Sequence, residues 1–255
     1  MAFIDLKFRS DSLLRAVSVN VIIPESAKKP NAPKYKTLYL LHGLSDDNTA
    51  WTRKTSIERY AADYGIAVVM PNCDRSWYTD SANDAKYFTF ITEELPSVCR
   101  NFFKGMSDKR EDNMIAGLSM GGYGAVKAAL VHPEKFAKCA SLSGALDIAD
   151  LERKFNLNEW RGIFGFDINS AADLKDTKHD LFALAEKYRN SAVELPEIFM
   201  WCGFDDRLAD ANRRFDSLLA DLGVSHTYLE SEGDHKWKWW DLHIQDVLEF
   251  MFGNK

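Results

Sequence analysis

Residues 113–130 constrain this chain more than any other stretch. The run Asn113-Met114-Ile115-Ala116 climbs into Gly117-Leu118-Ser119-Met120-Gly121-Gly122, and a segment of small residues (Tyr123, Gly124, Ala125, Val126, Ala128, Ala129, Leu130) leaves at once. That is G-x-S-x-G in the setting it requires: a strand, a sharp turn and a helix. Glycines two before and two after the serine leave no Cβ to obstruct the bend, so the hydroxyl projects at the strand end. The pentapeptide alone should arise in roughly one chain in ten of this length. Its weight depends on an acid and a histidine following it, in that order.

The flanking chain supplies the sheet that such a turn needs. Residues 3–9 alternate, with Ile4, Leu6 and Phe8 set against Asp5, Lys7 and Arg9. After the polar turn Ser10-Asp11-Ser12, alternation resumes through Val17, Val19, Val21 and Ile23. Two half-buried strands on a short turn predict an antiparallel hairpin. From Thr37 the strands become continuously apolar: Leu38 to Leu41, Ile66 to Met70, Phe136 to Leu142 and Ile198 to Cys202, followed by Val224 to Leu229. Helical stripes lie between them, around Ile57, Tyr60 and Ala61, and at Ile91, Leu95, Val98 and Phe102, with Pro96 placed near that helix's start. Further stripes run through Leu208, Ala211, Phe215, Leu218 and Leu222, and through Trp240, Ile244, Val247, Leu248 and Met251. Strand–helix alternation of this kind gives a mostly parallel sheet of about eight strands, covered by helices on both faces. One interval, about 145–195, is too long for a simple connection. It holds helical pieces at Leu151 to Phe155 and Leu181 to Tyr188, with the aromatic stretch Trp160 to Phe166. A cap or lid over the strand ends is expected there, within a single domain spanning 1–255.

Composition narrows the function. The net charge is −6 with both signs scattered and no basic block, so neither nucleic acid nor a membrane surface is an expected partner. With charges within the first seven residues, no apolar signal segment is expected there. Four cysteines (Cys73, Cys99, Cys139, Cys202) lack C-x-x-C spacing and are expected as reduced core thiols in a cytoplasmic protein, with no metal site.

A serine hydroxyl needs a base within hydrogen-bond reach, itself oriented by a carboxylate. Such groups gather just past the carboxyl ends of parallel strands. After the strand ending at Cys202 stands Gly203-Phe204-Asp205-Asp206, and after the strand ending near Leu229 stands Gly233-Asp234-His235. The order is therefore Ser119, then Asp205 or Asp206, then His235. Spacing does not separate the two aspartates, either of which could instead cap the next helix. His132, His179, His226 and His243 are expected in structural or exposed roles. An oxyanion hole is expected from the amide of Met120, at the helix start, and from that of Leu44 in the loop His42-Gly43-Leu44. The alternative for that loop is a tight turn with Gly43 at positive φ. Among the tryptophans, Trp77 and Trp160 are best placed to touch a substrate, although most tryptophans fill core.

These stretches, with Trp51, Met70-Pro71 and Ser76-Trp77-Tyr78-Thr79-Asp80, run nearly end to end, and on them the sequence resembles the esterase D-like branch of the α/β-hydrolases. Within it the chain is most similar to bacterial tributyrin-esterase-type enzymes and their acetyl- and feruloyl-esterase relatives. The resemblance implies Ser119 as nucleophile, His235 as base and, three residues after the glycine, Asp206 as acid. It implies Leu44 and Met120 as oxyanion donors, a small ester as substrate, no cofactor, and room for a homo-oligomer. S-formylglutathione hydrolases look similar but commonly carry a cysteine shortly after the His-Gly-Leu triplet, where this chain has Ser45-Asp46-Asp47. A thioesterase or acyltransferase with the same three residues, or a non-catalytic binding protein on this fold, are the alternatives.

Overall fold

In the computed structural model, which describes residues 1–29, 31–151 and 156–253, eight strands form one sheet in the order β1-β2-β4-β3-β5-β6-β7-β8. The hairpin of β1 (Ala2–Ser10) and β2 (Arg15–Ile23) pairs antiparallel, and β2 also meets β4 antiparallel. From there the sheet is parallel: β3 (Thr37–Leu41), β4 (Ala67–Pro71), β5 (Asn113–Leu118), β6 (Lys138–Leu142), β7 (Glu197–Gly203) and β8 (His226–Ser231). Every residue of β3, β4 and β5 is buried, which is why those segments read as unbroken apolar runs rather than as alternation.

The helices between them are α1 (Ala50–Lys54), α2 (Ile57–Tyr64), α3 (Tyr87–Thr89), α4 (Leu95–Phe102), α5 (Met120–Val131), α6 (Leu157–Phe164), α7 (Leu181–Glu186), α8 (Ala209–Asp221) and α9 (Trp237–Phe252). Successive side chains along a strand point to opposite faces, and the core divides accordingly. On one face Leu38, Leu40, Val68, Met114 and Trp201 meet Ile57 and Ala61 of α2 and Trp240, Ile244 and Leu248 of α9. On the other, Tyr39, Leu41, Ile115 and Met200 meet α4, α5, α8 and the long connection between β6 and β7. Among the described residues no helix is long and apolar enough to cross a membrane, and all four cysteines are buried free thiols.

Pro96 is the second residue of α4, near its start as expected, although the helical run begins earlier. Helical structure starts at Tyr87 and passes through a π turn at Phe90–Glu94 into α4. A proline lacks the N–H that would reach the carbonyl four residues back. That carbonyl, on Thr92, instead accepts from the Lys135 ammonium at 3.2 Å.

The connection 145–195 shares the main core: Trp160, Ile163, Leu174, Leu181 and Leu184 pack in the same cluster as the sheet. Its described helices include α6, across the expected aromatic stretch, and α7, whereas the helix expected at Leu151 to Phe155 lies mostly outside the described residues. Several contacts tie it down, three of them near α5 and the loop after β4. Tyr123 donates to the His179 carbonyl at 2.8 Å, Ala82 N–H to the Ile163 carbonyl at 3.2 Å, and Arg75 grips Glu159 through Nε and Nη2.

Beneath this connection α5 carries a buried lysine. Lys127 Nζ donates to Thr79 Oγ1 at 2.7 Å and lies 3.5 Å from His179 Nδ1, over the rings of Phe88 and Tyr123. Burial lowers its pKa to about 7 against the opposing pull of Asp80. Burial and the Lys127 cation press the His179 imidazole down to about 3. In the unfolded chain a lysine holds its proton to about pH 10.4. Between about 7 and 10 the unfolded state thus binds more protons, so this residue's contribution becomes more favourable as pH rises across that window. Below it both states are protonated and the cost of burying the charge is present in full. Lys127→Met is therefore expected to exceed wild type in stability at about pH 6, with the margin shrinking toward about pH 10. Denaturant melts at stepped pH check this; a margin that does not change with pH would contradict it.

Candidate active site

The turn between β5 and α5 is built by close approach. A Cβ on Gly117 would lie 2.4 Å from the Gly121 backbone, and one on Gly121 would lie 2.5 Å from the Leu41 carbonyl oxygen and 2.7 Å from that of His42. Only glycine lets the helix start this close to the ends of β3 and β5. The strain falls on Ser119, whose φ of 53° and ψ of −116° are unusual for a residue with a Cβ. Its N–H bonds the Leu142 carbonyl at 2.9 Å and its carbonyl accepts from Ala145 at 3.1 Å, so the strained residue is held from the neighbouring strand end.

Two further strand ends converge on it. After β7, Gly203 lies so near Gly233 that a Cβ on Gly203 would sit 2.2 Å from the Gly233 carbonyl oxygen. Phe204 N–H bonds the Ser231 carbonyl at 2.8 Å and Asp205 N–H bonds the Gly233 carbonyl at 2.9 Å. These contacts bring the loops after β7 and β8 together. They place the Asp206 carboxylate against His235, with Nδ1 at 2.8 Å from Oδ2 and 3.1 Å from Oδ1. On the far side of the ring, Nε2 is 3.0 Å from Ser119 Oγ. Asp205, the neighbouring candidate, is exposed.

The Asp206 side chain is fully buried. Burial pushes its carboxyl up. The bond from His235, the charge on that ring, the Leu208 N–H at 3.0 Å and the Ser143 hydroxyl outweigh this and hold it below the ordinary carboxylate value. An ionised Asp206 accepts from Nδ1–H and leaves Nε2 free to accept the proton of Ser119. Ser143, at the end of β6, was not legible as part of this group. It takes φ 48°, accepts from Trp240 Nε1 at 3.0 Å, and so joins α9 to the Asp206 carboxylate.

Ser119 and His235 open into a cleft of about 450 Å³ lined also by Gly43, Leu44, Trp77, Leu151, Leu208, Trp237 and Trp240. Leu44 thus lines the same cleft as Ser119, and Met120 begins α5, where first-turn N–H groups have no intrahelical acceptor. Gly43 does not take positive φ. It is glycine because a Cβ there would meet Leu118 Cδ1 at 2.8 Å and Asp46 Oδ2 at 3.0 Å. Of the two tryptophans singled out by sequence, Trp77 forms cleft wall. Trp160 does not line the cleft; its ring stands edge-on behind Trp77 at 5.7 Å, 1% exposed. Trp237 and Trp240 take places on the wall that sequence had left to packing. Arg75, Arg207 and Lys236 stand at the rim with Asp46. His132, His179, His226 and His243 lie outside the cleft lining; His226 bonds Asp216 at 2.9 Å and His243 stacks on Trp201 at 4.0 Å. Among the described residues no group of three or more His, Cys, Asp or Glu could hold a metal ion.

Comparison with known proteins agrees with this architecture. An acetyl esterase of Caldicellulosiruptor saccharolyticus is 32% identical, over 98% of this chain and 98% of its own. FphF, a fluorophosphonate-binding serine hydrolase of Staphylococcus aureus, superposes with a TM-score of 0.90 at 35% identity, covering 99% of both chains. An S-formylglutathione hydrolase (FrmB) of the same organism superposes at 0.89 with 35% identity over 98% of both. The Esterase family model matches residues 10–251, and the chain belongs to that family, carboxylic ester hydrolases on the α/β-hydrolase fold.

Proposed function

We propose that this protein is a serine carboxylesterase acting on small esters, with acetyl to butyryl or hydroxycinnamoyl acyl groups, through an acyl-enzyme on Ser119. The observation that carries this is the unbroken chain Ser119 Oγ, His235, Asp206, with links of 3.0 and 2.8 Å, at the floor of an open cleft. His235 Nε2 takes the serine proton as Oγ attacks the ester carbonyl, and Asp206 holds the ring's tautomer and stabilises the imidazolium. The amides of Leu44 and Met120 receive the oxyanion. His235 returns the proton to the departing alcohol, then activates water against the acyl-enzyme. No cofactor enters this scheme. The preference for a short or flat acyl group is supported by Trp77, whose ring is backed by Tyr123 and Trp160 and closes that wall. Four buried free thiols fit a reducing compartment, and we assign the enzyme to the cytoplasm.

One second reading has a specific observation behind it. The S-formylglutathione hydrolase above shares 35% identity with this chain, the same as FphF, and the same three residues would cleave a thioester. A panel of p-nitrophenyl esters from acetate to decanoate, with methyl ferulate and S-formylglutathione, separates the two. The expected result is a maximum in kcat/KM between acetate and butyrate, with a fall of at least about tenfold by octanoate. A preference for S-formylglutathione of more than about 10²-fold over every oxygen ester would favour the second reading. Inertness toward the whole panel would remove both.

A further inference from the structure

His42, at the end of β3, is 1% exposed, and both of its ring nitrogens are engaged. Nε2 lies 2.9 Å from the Cys73 backbone nitrogen, and Nδ1 lies 2.7 Å from the Gly43 carbonyl oxygen. A backbone N–H can only donate, so Nε2 accepts and carries no proton. The ring's proton is therefore on Nδ1, donated to the Gly43 carbonyl. Burial depresses the pKa of this imidazole, although the Gly43 carbonyl, Asp46, Asp47 and Asp74 pull the other way, and the neutral ring is the form the site holds.

The Gly43 carbonyl and the Leu44 N–H belong to one peptide unit. Among the described residues no peptide bond is cis, and a planar trans peptide points these two groups in opposite directions, so holding the oxygen aims the N–H. We propose that His42 is a positioning residue of the oxyanion hole: its Nδ1–H, at 2.7 Å and so closer than the Asp46 N–H at 3.2 Å, clamps the Gly43 carbonyl and so directs the Leu44 amide at the developing charge. The proposal rests on the assignment of Leu44 as an oxyanion donor made above. A donor of this kind contributes in proportion to how firmly it is oriented before the charge forms.

The surroundings serve the same end. Tyr78, fully buried, donates its hydroxyl to the His42 carbonyl at 2.9 Å, and Trp51 Nε1 donates to the Leu41 carbonyl at 3.1 Å. Gly121 packs directly under both carbonyls. Trp77 and Tyr78 take φ of 51° and 45°, consecutive strained residues that bring the Tyr78 phenol to the His42 carbonyl while Trp77 faces the cleft. The strain of this loop thus has an identifiable product, a strand end whose carbonyls are each held by a donor.

Two substitutions separate the ring's two bonds. The amide nitrogen of asparagine reaches the position of Nδ1 and can donate to the Gly43 carbonyl, whereas the glutamine amide reaches the position of Nε2 and can serve only Cys73. His42→Gln is expected to lower kcat by about 10²-fold with KM little changed, and His42→Asn to restore most of that loss. Affinity for an aliphatic trifluoromethyl ketone, which forms a tetrahedral adduct on the serine, should fall with kcat in His42→Gln, while binding of the product acid should not. Thermal melts monitor folding; should both variants fail to fold, Tyr78→Phe, which frees the His42 carbonyl, is expected to lower kcat by about tenfold at unchanged KM. A folded His42→Gln enzyme with wild-type kcat and ketone affinity would overturn the inference, as would equal losses in both variants that merely follow melting temperature. If both variants fail to fold and Tyr78→Phe keeps wild-type kcat, the inference is likewise overturned. Wild-type protein inert toward every ester would instead defeat the assignment of function on which it rests.

Discussion

Ser119→Ala is expected to lower kcat by about 10⁶-fold and to leave the fold intact. The hydroxyl's partner is His235 Nε2, so removing it leaves the backbone bonds to Leu142, Tyr123 and Ala145 in place. Alanine at φ 53° is strained much as serine is, so the stability change should lie within about 0.5 kcal/mol. The loss is so large because the three side chains act as a unit: without a nucleophile the base and acid have nothing to activate. Steady-state hydrolysis of p-nitrophenyl acetate by the two proteins, at matched melting temperature, gives the comparison. Residual activity within about tenfold of wild type would place the chemistry elsewhere.

The second large effect concerns the acid. Asp206→Asn is expected to lower kcat by about 10⁴-fold, and Asp205→Asn to change it little. The reason lies in what holds each carboxylate oxygen. Oδ1 accepts from the Leu208 N–H at 3.0 Å, so an asparagine would keep its carbonyl oxygen there and turn its amide group toward His235, in the place of Oδ2. An amide N–H facing Nδ1 forces the ring proton onto Nε2, where it can no longer accept from Ser119. Asp205 is exposed and holds its loop through its backbone N–H, which the substitution spares. Reversed effects at the two positions would show that the acid had been assigned one residue too late.

The strand ends were the legible part of this site. Parallel strands buried on both faces announce themselves as apolar runs, and the residues just past them, Ser119, Gly203 to Asp206 and Gly233 to His235, must gather at one edge of the sheet. The order in sequence pointed to the chemistry and the resemblance pointed to Asp206, but spacing did not separate it from Asp205: the Gly203–Gly233 approach that accompanies the Asp206–His235 contact joins two different loops. Cleft walls were less legible for the same reason. A buried tryptophan reads alike whether it faces substrate or backs another ring: Trp77 lines the cleft, Trp160 stands behind it, and Trp237 and Trp240 of α9 reach the site from the last helix. Ser143 was not singled out and His42 was named only as part of the oxyanion loop, because their partners, Trp240 and Cys73, lie 97 and 31 residues away.

The central claim is that ester cleavage passes through Ser119 covalently. Mixing the protein with excess p-nitrophenyl acetate, quenching in acid within the first turnover and digesting it for mass spectrometry tests this directly. The predicted result is one acetyl group on the peptide carrying Ser119, formed at the rate of the p-nitrophenol burst and absent from Ser119→Ala. A burst with no acetyl group on that peptide, or acetylation at the same rate in Ser119→Ala, would contradict it.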